Sequence, residues 1–226
     1  MTKVITSVQN PLIKNILALT AKARERREQG LFVAEGLRET AMALAAGFEA
    51  EALLYDPAHT SAQDLSSLPE SDPTVWIETN GAVFEKIAYR SGVANVVALL
   101  RSKHIALDGI LLPGHPLVLV LESVEKPGNL GAILRTADAA GVDAVVLCDP
   151  LADQYNPNAI RASLGTVFTV PVVAADSTTT LARFWVEAAD ERIIIPMKGR
   201  VDSLNVSAST AVLLFEARRQ RNIVGK

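Results

Sequence analysis

Residues 118–141 have the sequence VLVLESVEKPGNLGAILRTADAAG, which predicts a buried strand, a turn and a helix in succession. The continuous apolar run at 117–121 is typical of a parallel strand that is covered on both faces. A helical pattern follows from about residue 128 to residue 140. Open α/β folds bind ligands at the carboxyl edge of the sheet, so we expect Asn129 and Arg135 to lie near such an edge.

The glycines of this turn do not form a dinucleotide-binding fingerprint. Gly128 and Gly131 match the last two glycines of that motif, but Lys126 stands where the first should be. A nucleotide-binding oxidoreductase is therefore a weak alternative. A strand, a glycine turn and a helix also occur together as an ordinary connection, so this stretch alone does not establish a ligand site.

A second informative stretch covers residues 192–217, with the sequence RIIIPMKGRVDSLNVSASTAVLLFEA. It predicts a buried strand over Ile193–Met197, an extended loop that runs to Asn205, and a long final helix over 206–221. Ser203 or Asn205 could cap this helix, which is an ordinary structural role for either side chain.

Strands and helices alternate along the rest of the chain, which predicts two α/β units. The other predicted strands are 31–34, 52–55, 74–77, 93–100, 144–147 and 167–173. The other predicted helices are 36–47, 82–89, 158–164, 179–189 and one that begins at Asn10-Pro11 and stops at Gly30. Periodicity lapses around Pro113-Gly114, so we expect a first domain over 1–105, a linker over 106–115 and a second domain over 116–226.

Composition excludes several classes of protein. Of the 226 residues, 49% are hydrophobic and 21% are charged, which suffices for a sizeable core. A net charge of −3 excludes a uniformly basic nucleic-acid coat but allows a local basic patch. No apolar run approaches the roughly 20 residues that span a bilayer, and residues 1–11 contain no signal-peptide core. The single cysteine, Cys148, cannot form an internal disulfide, which favours a cytoplasmic location, and we expect it to be buried.

Positive charge is concentrated near the amino terminus. The cations are Lys14, Lys22, Arg24, Arg26 and Arg27. They form either a solvated helix face or a strip that contacts RNA phosphates, where Lys and Arg gain affinity by releasing counterions. Composition does not choose between these interpretations. No two histidines have the spacing of metal ligands, so no metal site is predicted.

Together the two stretches resemble the motifs of the SpoU (TrmH-like) family of RNA ribose methyltransferases, within the SPOUT class. The similar segments are 127–138 for the first motif, 195–199 and 203–207 for the third, 156–171 for the helix and strand between them, and 10–14 and 32–36 for the substrate-binding domain. The resemblance covers most of the chain. It requires the turns at 128–135 and 196–205 to meet in space.

The resemblance implies methyl transfer from S-adenosylmethionine to a ribose 2′-hydroxyl of ribosomal or transfer RNA. It further implies a SPOUT-type parallel-sheet carboxyl-terminal domain tied in a trefoil knot, a smaller α/β amino-terminal domain that binds RNA through the basic strip, and a homodimer formed through the carboxyl-terminal domain. The catalytic candidates by position are Arg135, Asn129, Ser203 and Asn205, and the cofactor-binding candidates are Ile195, Met197, Gly199 and Leu204. Arginine side chains have a pKa above about 12, so we expect Arg135 to align the hydroxyl rather than to remove its proton.

The chain departs from the family pattern at one point. The second motif, a strand that ends in a Gly-x-Glu-x-x-Gly-Leu-like loop, has no counterpart between Val173 and Arg192. One wall of the adenosyl pocket and a family glutamate are therefore missing. A natural shortening, an engineered deletion or an omission from the recorded sequence would each produce this pattern, and an intact mass above 24.1 kDa would identify the last. With a natural shortening, the alternative function is a non-catalytic RNA-binding protein with a degenerate cofactor pocket.

Overall fold

The computed structural model describes residues 3–69, 76–88, 95–176, 193–198 and 203–224. These residues form a five-stranded mixed sheet in the amino-terminal half and a three-stranded parallel sheet in the carboxyl-terminal half, each packed against helices. The α/β architecture predicted from the sequence is confirmed. Within the described ranges, no helix is long and apolar enough to cross a membrane.

The amino-terminal sheet has the strand order β1-β4-β3-β5-β2. Its strands are β1 (Lys3–Ile5), β2 (Leu31–Glu35), β3 (Ala50–Tyr55), β4 (Trp76–Thr79) and β5 (Val96–Arg101), and its helices are α1 (Pro11–Ala21), α2 (Ala23–Gln29), α3 (Leu37–Ala45), α4 (Ala62–Ser66) and α5 (Gly81–Ile87). Strands β1, β4 and β3 are parallel, whereas β5 runs antiparallel to β3 and β2. Apolar residues of α1 and α5 cover one face of the sheet, and the other face belongs to a core shared with the carboxyl-terminal half.

The first predicted helix is broken in two. Asn10 begins it as expected, because its side chain accepts a hydrogen bond from the Leu12 amide at 2.9 Å. Gly30 ends it in the left-handed conformation, also as expected. The prediction of one continuous helix is wrong, however, because Lys22 has an extended backbone between α1 and α2. Carbonyl groups exposed by the break are satisfied by the Arg26 guanidinium, which bonds to the oxygens of residues 19 and 20.

The carboxyl-terminal sheet has the order β6-β7-β8, with all strands parallel. Its elements are β6 (Val118–Glu122), α6 (Pro127–Ala140), β7 (Ala144–Cys148), α7 (Pro157–Ser163), β8 (Val172–Ala175) and α8 (Val206–Val224). Every residue of the central strand β7 is buried, including Cys148, as predicted. Strand β6 is only half-buried at residues 118–120, so the expectation of two covered faces is wrong. The reason is its position at the edge of the described sheet.

Two further predictions of strands need correction. The strand expected over 167–173 begins only at Val172, because residues 166–168 form a short 3-10 helix whose side chains are buried. The buried strand expected over Ile193–Met197 is wrong. Residues 193–198 have no regular secondary structure, and Ile193 and Ile194 are 66% and 89% exposed. A strand needs a neighbour for its backbone N–H and C=O groups, and in the described part of the chain none pairs with this segment.

Several predictions lie wholly or partly outside the described residues, including the ends of the predicted helix 82–89 and strand 93–100. The helix over 179–189 falls there entirely, as do residues 74 and 75 of a predicted strand, whose remainder is the start of β4. The trefoil knot stays a prediction, because the chain between β8 and α8 is described only in part.

The two halves of the protein share one core. Phe32 of β2 stacks on Tyr155, which precedes α7, with 4.3 Å between ring centroids. The Tyr155 hydroxyl donates to the Lys103 carbonyl at 2.8 Å and accepts from the Lys103 amide at 3.2 Å, and burial raises the pKa of Tyr155. Arg38 of α3 donates two hydrogen bonds to the Leu164 carbonyl at the end of α7. The two sheets are therefore joined by packed side chains and by hydrogen bonds to the backbone.

Candidate functional site

The turn after β6 places two of the catalytic candidates on α6. Asn129 lies half-buried in the first turn of the helix, and Arg135 lies exposed farther along it. Seven residues are about two helical turns, so Arg135 projects from the same face as Gly128. A Cβ atom at Gly128 would meet nothing within 4 Å. The face that Arg135 occupies is therefore open to a ligand.

The start of α8 meets the start of α6. The side-chain amide of Asn205 donates to Asn129 Oδ1 at 3.2 Å, across 76 residues of sequence. Asn205 Oδ1 in turn accepts from the Ser207 amide at 2.9 Å and from the Ser207 hydroxyl at 2.6 Å, so Asn205, one of the two residues that the sequence allowed, caps α8. Ser203 lies exposed two residues earlier. The ends of the two motif segments, which the sequence resemblance requires to meet, are in contact at Asn129 and Asn205.

The junction of the two helix starts has a defined electrostatic character. The amino-terminal turn of a helix carries partial positive charge and unpaired amides, which attract anionic groups. The N-cap residue of α6, Lys126, makes no side-chain hydrogen bond to the amides of the helix. The junction is thus suited to a phosphate oxygen or a carboxylate.

Gly131 has a packing role rather than a role in ligand binding. A Cβ atom there would collide with the Ala159 carbonyl oxygen and would lie 2.7 Å from Ala162 Cβ and 2.8 Å from the Ser163 amide nitrogen. Only glycine allows α6 and α7 to approach so closely. The two glycines at the start of α6, which the sequence could not distinguish, therefore have different roles. Gly131 packs two helices together, and Gly128 faces open space.

Three of the four cofactor-binding candidates lie in the irregular segments that the structure describes before α8. Ile195 and Met197 are half-buried, Leu204 is exposed next to Asn205, and Gly199 lies outside the described residues. Apolar side chains and backbone groups outside a sheet ladder suit an adenosyl group, which needs both apolar contact and hydrogen bonds. The residues present fit S-adenosylmethionine in their chemistry.

Four of the five cations near the amino terminus are exposed. These are Lys14, Lys22, Arg24 and Arg27, and Arg24 forms an i,i+4 ion pair with Glu28 at 2.7 Å. Arg26 is the exception, since it is 4% exposed and forms an ion pair with Asp153. Assigning Arg26 to an RNA-contacting strip is therefore inconsistent with the structure. Helical periodicity turns this one residue inward while its neighbours face solvent.

A cleft of about 410 Å³ lies where the two halves meet. It is lined by Thr20, Val33, Glu35, Gly36, Leu37, Arg38, Glu39, Ile87, Asn95, Pro157, Ile160, Arg161 and Leu164. The residues from α7 and its C-cap are at positions 157, 160, 161 and 164, a spacing that places them on one face of the helix. Sequence patterns did not predict this cleft, because its walls come from segments that are far apart in the chain.

Comparison with known proteins identifies the family. Residues 116–184 match the model of the SpoU rRNA methylase family, and residues 10–98 match the model of an MRM3-like substrate-binding domain. The crystal structure of an RNA 2′-O ribose methyltransferase is 34% identical in sequence, with a TM-score of 0.81 over 96% of this chain and 99% of that one. The chain belongs to the SpoU rRNA methylase family. The family predicted from the two motifs is confirmed.

Two other proteins similar to this SpoU family member carry specific names. One is the 23S rRNA (uridine(2479)-2′-O)-methyltransferase of Streptomyces viridochromogenes, 24% identical over 265 aligned positions that cover 96% of this chain and 92% of that protein. The other is the AdoMet-bound crystal structure of an rRNA methyltransferase from Sinorhizobium meliloti, 28% identical, with a TM-score of 0.80 over 97% of this chain and 98% of that one.

The comparisons also bear on the missing second motif. The alignment with the Streptomyces protein is longer than the 226 residues of this SpoU family member, so some of its positions have no counterpart here. The match to the family model ends at residue 184, before the third motif. Both observations agree with a family pattern that is incomplete in this chain.

Proposed function

We propose that this SpoU family member transfers the methyl group of S-adenosylmethionine to a ribose 2′-hydroxyl of ribosomal RNA. The observation that carries the proposal is the hydrogen bond between Asn129 and Asn205, which brings the first and third family motifs together at one surface. The rRNA substrates named for similar proteins support the choice of RNA. A cytoplasmic location follows from such a substrate.

The two halves divide the work in this proposal. Residues 1–105 bind the RNA, residues 106–115 link the domains, and residues 116–226 carry out methyl transfer. The exposed cations Lys14, Lys22, Arg24 and Arg27 contact RNA phosphates, because solvent-facing cations gain affinity by releasing counterions.

The chemistry requires alignment more than proton abstraction. S-adenosylmethionine supplies an electrophilic methyl group on a sulfonium centre. A ribose hydroxyl is a poor nucleophile, so its oxygen must be held in line with that methyl group. The new O–C bond forms as the C–S bond breaks, S-adenosylhomocysteine leaves, and the hydroxyl proton passes to water. Arg135 holds the hydroxyl and the neighbouring phosphate by hydrogen bonds from its guanidinium.

The remaining candidates position the reacting groups. Asn129, Ser203 and Asn205 orient the ribose and the Arg135 side chain from the junction of α6 and α8. The cofactor is held by Ile195, Met197, Gly199 and Leu204, through apolar contact and backbone hydrogen bonds. The helix starts favour an anionic group, either the cofactor carboxylate or the target phosphate.

The protein functions as a homodimer through α8. This helix exposes Val212, Leu213 and Phe215, of which Phe215 is 51% exposed. Neighbouring exposed apolar side chains on one helix are suited to burial against a second copy. Sedimentation equilibrium should give a dimer for the wild type and a monomer for Phe215→Glu, and a wild-type monomer would contradict this part of the proposal.

The decisive experiment measures methyl transfer to rRNA from S-adenosylmethionine that carries a labelled methyl group. Wild type should incorporate label into nucleotides that resist alkaline cleavage, since a 2′-O-methyl group blocks attack by the hydroxyl. Arg135→Ala should lower incorporation by at least about 100-fold, because positioned hydrogen bonds of this kind typically contribute that much. RNA affinity should change little.

A matched control separates this effect from the loss of any surface charge. Arg219→Ala removes an exposed arginine whose contact is with Glu216, so incorporation should match that of wild type. RNA binding without incorporation by the wild type, together with no heat on titration with S-adenosylmethionine, would favour the non-catalytic alternative.

A further inference from the structure

Arg26 forms a buried connection between the two halves of the protein. Its Nε atom donates to Asp153 Oδ2 at 2.6 Å, and its Nη1 atom donates to the carbonyl oxygens of Leu19 and Thr20. The Arg26 side chain is 4% exposed and that of Asp153 is 18% exposed. The two residues are 127 positions apart in the sequence. The ion pair therefore joins α2 to the loop before α7.

Because the ion pair is buried, it is stable only in a geometry that satisfies both charged groups. A buried guanidinium is tolerated only when its charge and its N–H groups are satisfied. Arginine can meet a carboxylate and two carbonyls at once because its donors form a planar fork, whereas lysine offers a single point charge. Asp153 is itself held in place, since its Oδ1 atom accepts from the Tyr155 amide at 2.9 Å. The orientation of α2 on the loop is thus closely determined.

A continuous series of packed elements leads from this pair to the motif residues. Asn156, three residues after Asp153, caps α7 by accepting from the Asn158 amide at 2.9 Å. Helix α7 lies directly against α6 at Gly131. Helix α6 carries Asn129 and Arg135. At the other end, α2 carries the exposed Arg24 and Arg27.

We infer that Arg26 and Asp153 are positioning residues for methyl transfer. Their ion pair sets the distance between the exposed cations of α2, Arg24 and Arg27, which hold the RNA, and the face of α6 that acts on its ribose. This inference rests on the proposed function. RNA would still bind without the pair, but the target hydroxyl would be misplaced, and a displacement of about 1 Å can reduce the rate of reaction about 100-fold.

The test uses Arg26→Lys and Asp153→Asn in the full chain. Each should lower kcat for rRNA methylation by roughly 10-fold to 100-fold, with the dissociation constant for RNA and its dependence on salt nearly unchanged. Asp153→Glu retains the carboxylate and should recover part of the kcat. Arg27→Ala serves as the comparison for direct contact, because it should weaken RNA binding and reduce the salt slope by about one.

A second measurement does not depend on activity. Hydrogen exchange of backbone amides should accelerate over residues 19–30 and 150–164 in both variants, since the connection between these segments is lost. The inference is overturned if Arg26→Lys weakens RNA binding as Arg27→Ala does, if kcat of the folded variants equals that of wild type, or if exchange is unchanged. Wild type without methylation would instead refute the proposed function, and the exchange measurement would still test the connection.

Discussion

Helix α6 contacts two neighbours in different ways. Along its length it meets α7 through a buried contact so close that Gly131 has no room for a side chain. At its start it meets α8 through a hydrogen bond of 3.2 Å between exposed or half-buried amides, Asn205 and Asn129. The first contact belongs to the core and the second to the surface.

This contrast indicates which part of the site is rigid. Interiors are close-packed, so a buried helix contact fixes geometry independently of any ligand. A partly exposed hydrogen bond contributes little net free energy, because water competes for both partners. The first motif is therefore held by the buried contact of α6 with α7, whereas the third motif meets α6 at an exposed hydrogen bond just before the buried residues of α8, Thr210 and Leu214.

The largest expected effect comes from Gly131→Ala. Alanine normally stabilises a helix interior relative to glycine, but here its methyl group collides with backbone atoms of α7. We expect a loss of about 3 kcal/mol in the free energy of unfolding, as for other overpacked sites. Urea denaturation measures it.

Gly128→Ala is the matched control for this prediction. The same chemical change at an open position should leave the free energy of unfolding within about 1 kcal/mol of wild type, or raise it. Equal losses in the free energy of unfolding for Gly131→Ala and Gly128→Ala would show that the close contact with α7 does not limit the side chain at residue 131.

A smaller effect is expected at the start of α8. Asn205→Ala removes the acceptor for the Ser207 amide and should lower the free energy of unfolding by about 1 kcal/mol, the usual value of an N-cap. Asn205→Asp keeps the acceptor oxygens and should lose less. Equal free energies of unfolding for Asn205→Ala and Asn205→Asp in urea denaturation would contradict this prediction.

Asn129→Ala should affect stability still less. It removes a hydrogen bond that is open to water, so the free energy of unfolding should fall by about 0.5 kcal/mol. Methyl transfer should nevertheless fall by about 10-fold or more, because Asn129 orients the reacting groups in the proposed function. A stability loss as large as that of Asn205→Ala would contradict this prediction, because Asn205→Ala loses the same hydrogen bond and the cap as well.

The smallest effect is a pH dependence on the outer face of α8. Hydrogen bonds from Arg219 and then Gln220 lower the pKa of Glu216 to about 2 from its ordinary value of 4.5. A lowered pKa in the folded state means that its contribution to stability is present above pH 4.5 and is lost as pH falls to about 2. Circular dichroism should show wild type more helical than Glu216→Gln above pH 4.5, with the difference vanishing near pH 2. A difference independent of pH would show that the ionised pair is not responsible.

Local sequence patterns predicted most elements because their causes are local. The start of α1 at Asn10-Pro11 and the left-handed end at Gly30 follow from capping and backbone preferences of single residues. Helix α6 lies within a residue of its predicted position for the same reason. Strand β1 was missed because three residues contain too little periodicity to be recognised.

The candidate site was predictable only in part. The pairing of two motifs in the right order pointed to Asn129 and Asn205, and the structure brings them together. The burial of Arg26 was not predictable from charge, since Arg24 and Arg27 are also arginines and face solvent. Its partner, Asp153, lies 127 residues away in the sequence, and no local pattern reveals a contact between residues so far apart.

The sequence by itself determined the α/β class, the cap at Asn10 and the family to which the protein belongs, because periodicity, capping and motif spacing are properties of neighbouring residues. Only the tertiary structure decided that Gly131 packs helices while Gly128 faces open space, that Arg26 joins the two halves, and that residues 193–198 do not form a strand. Each of these outcomes depends on which distant segment lies alongside. Packing, ion pairing and strand pairing require a partner, and the partner is chosen by the fold.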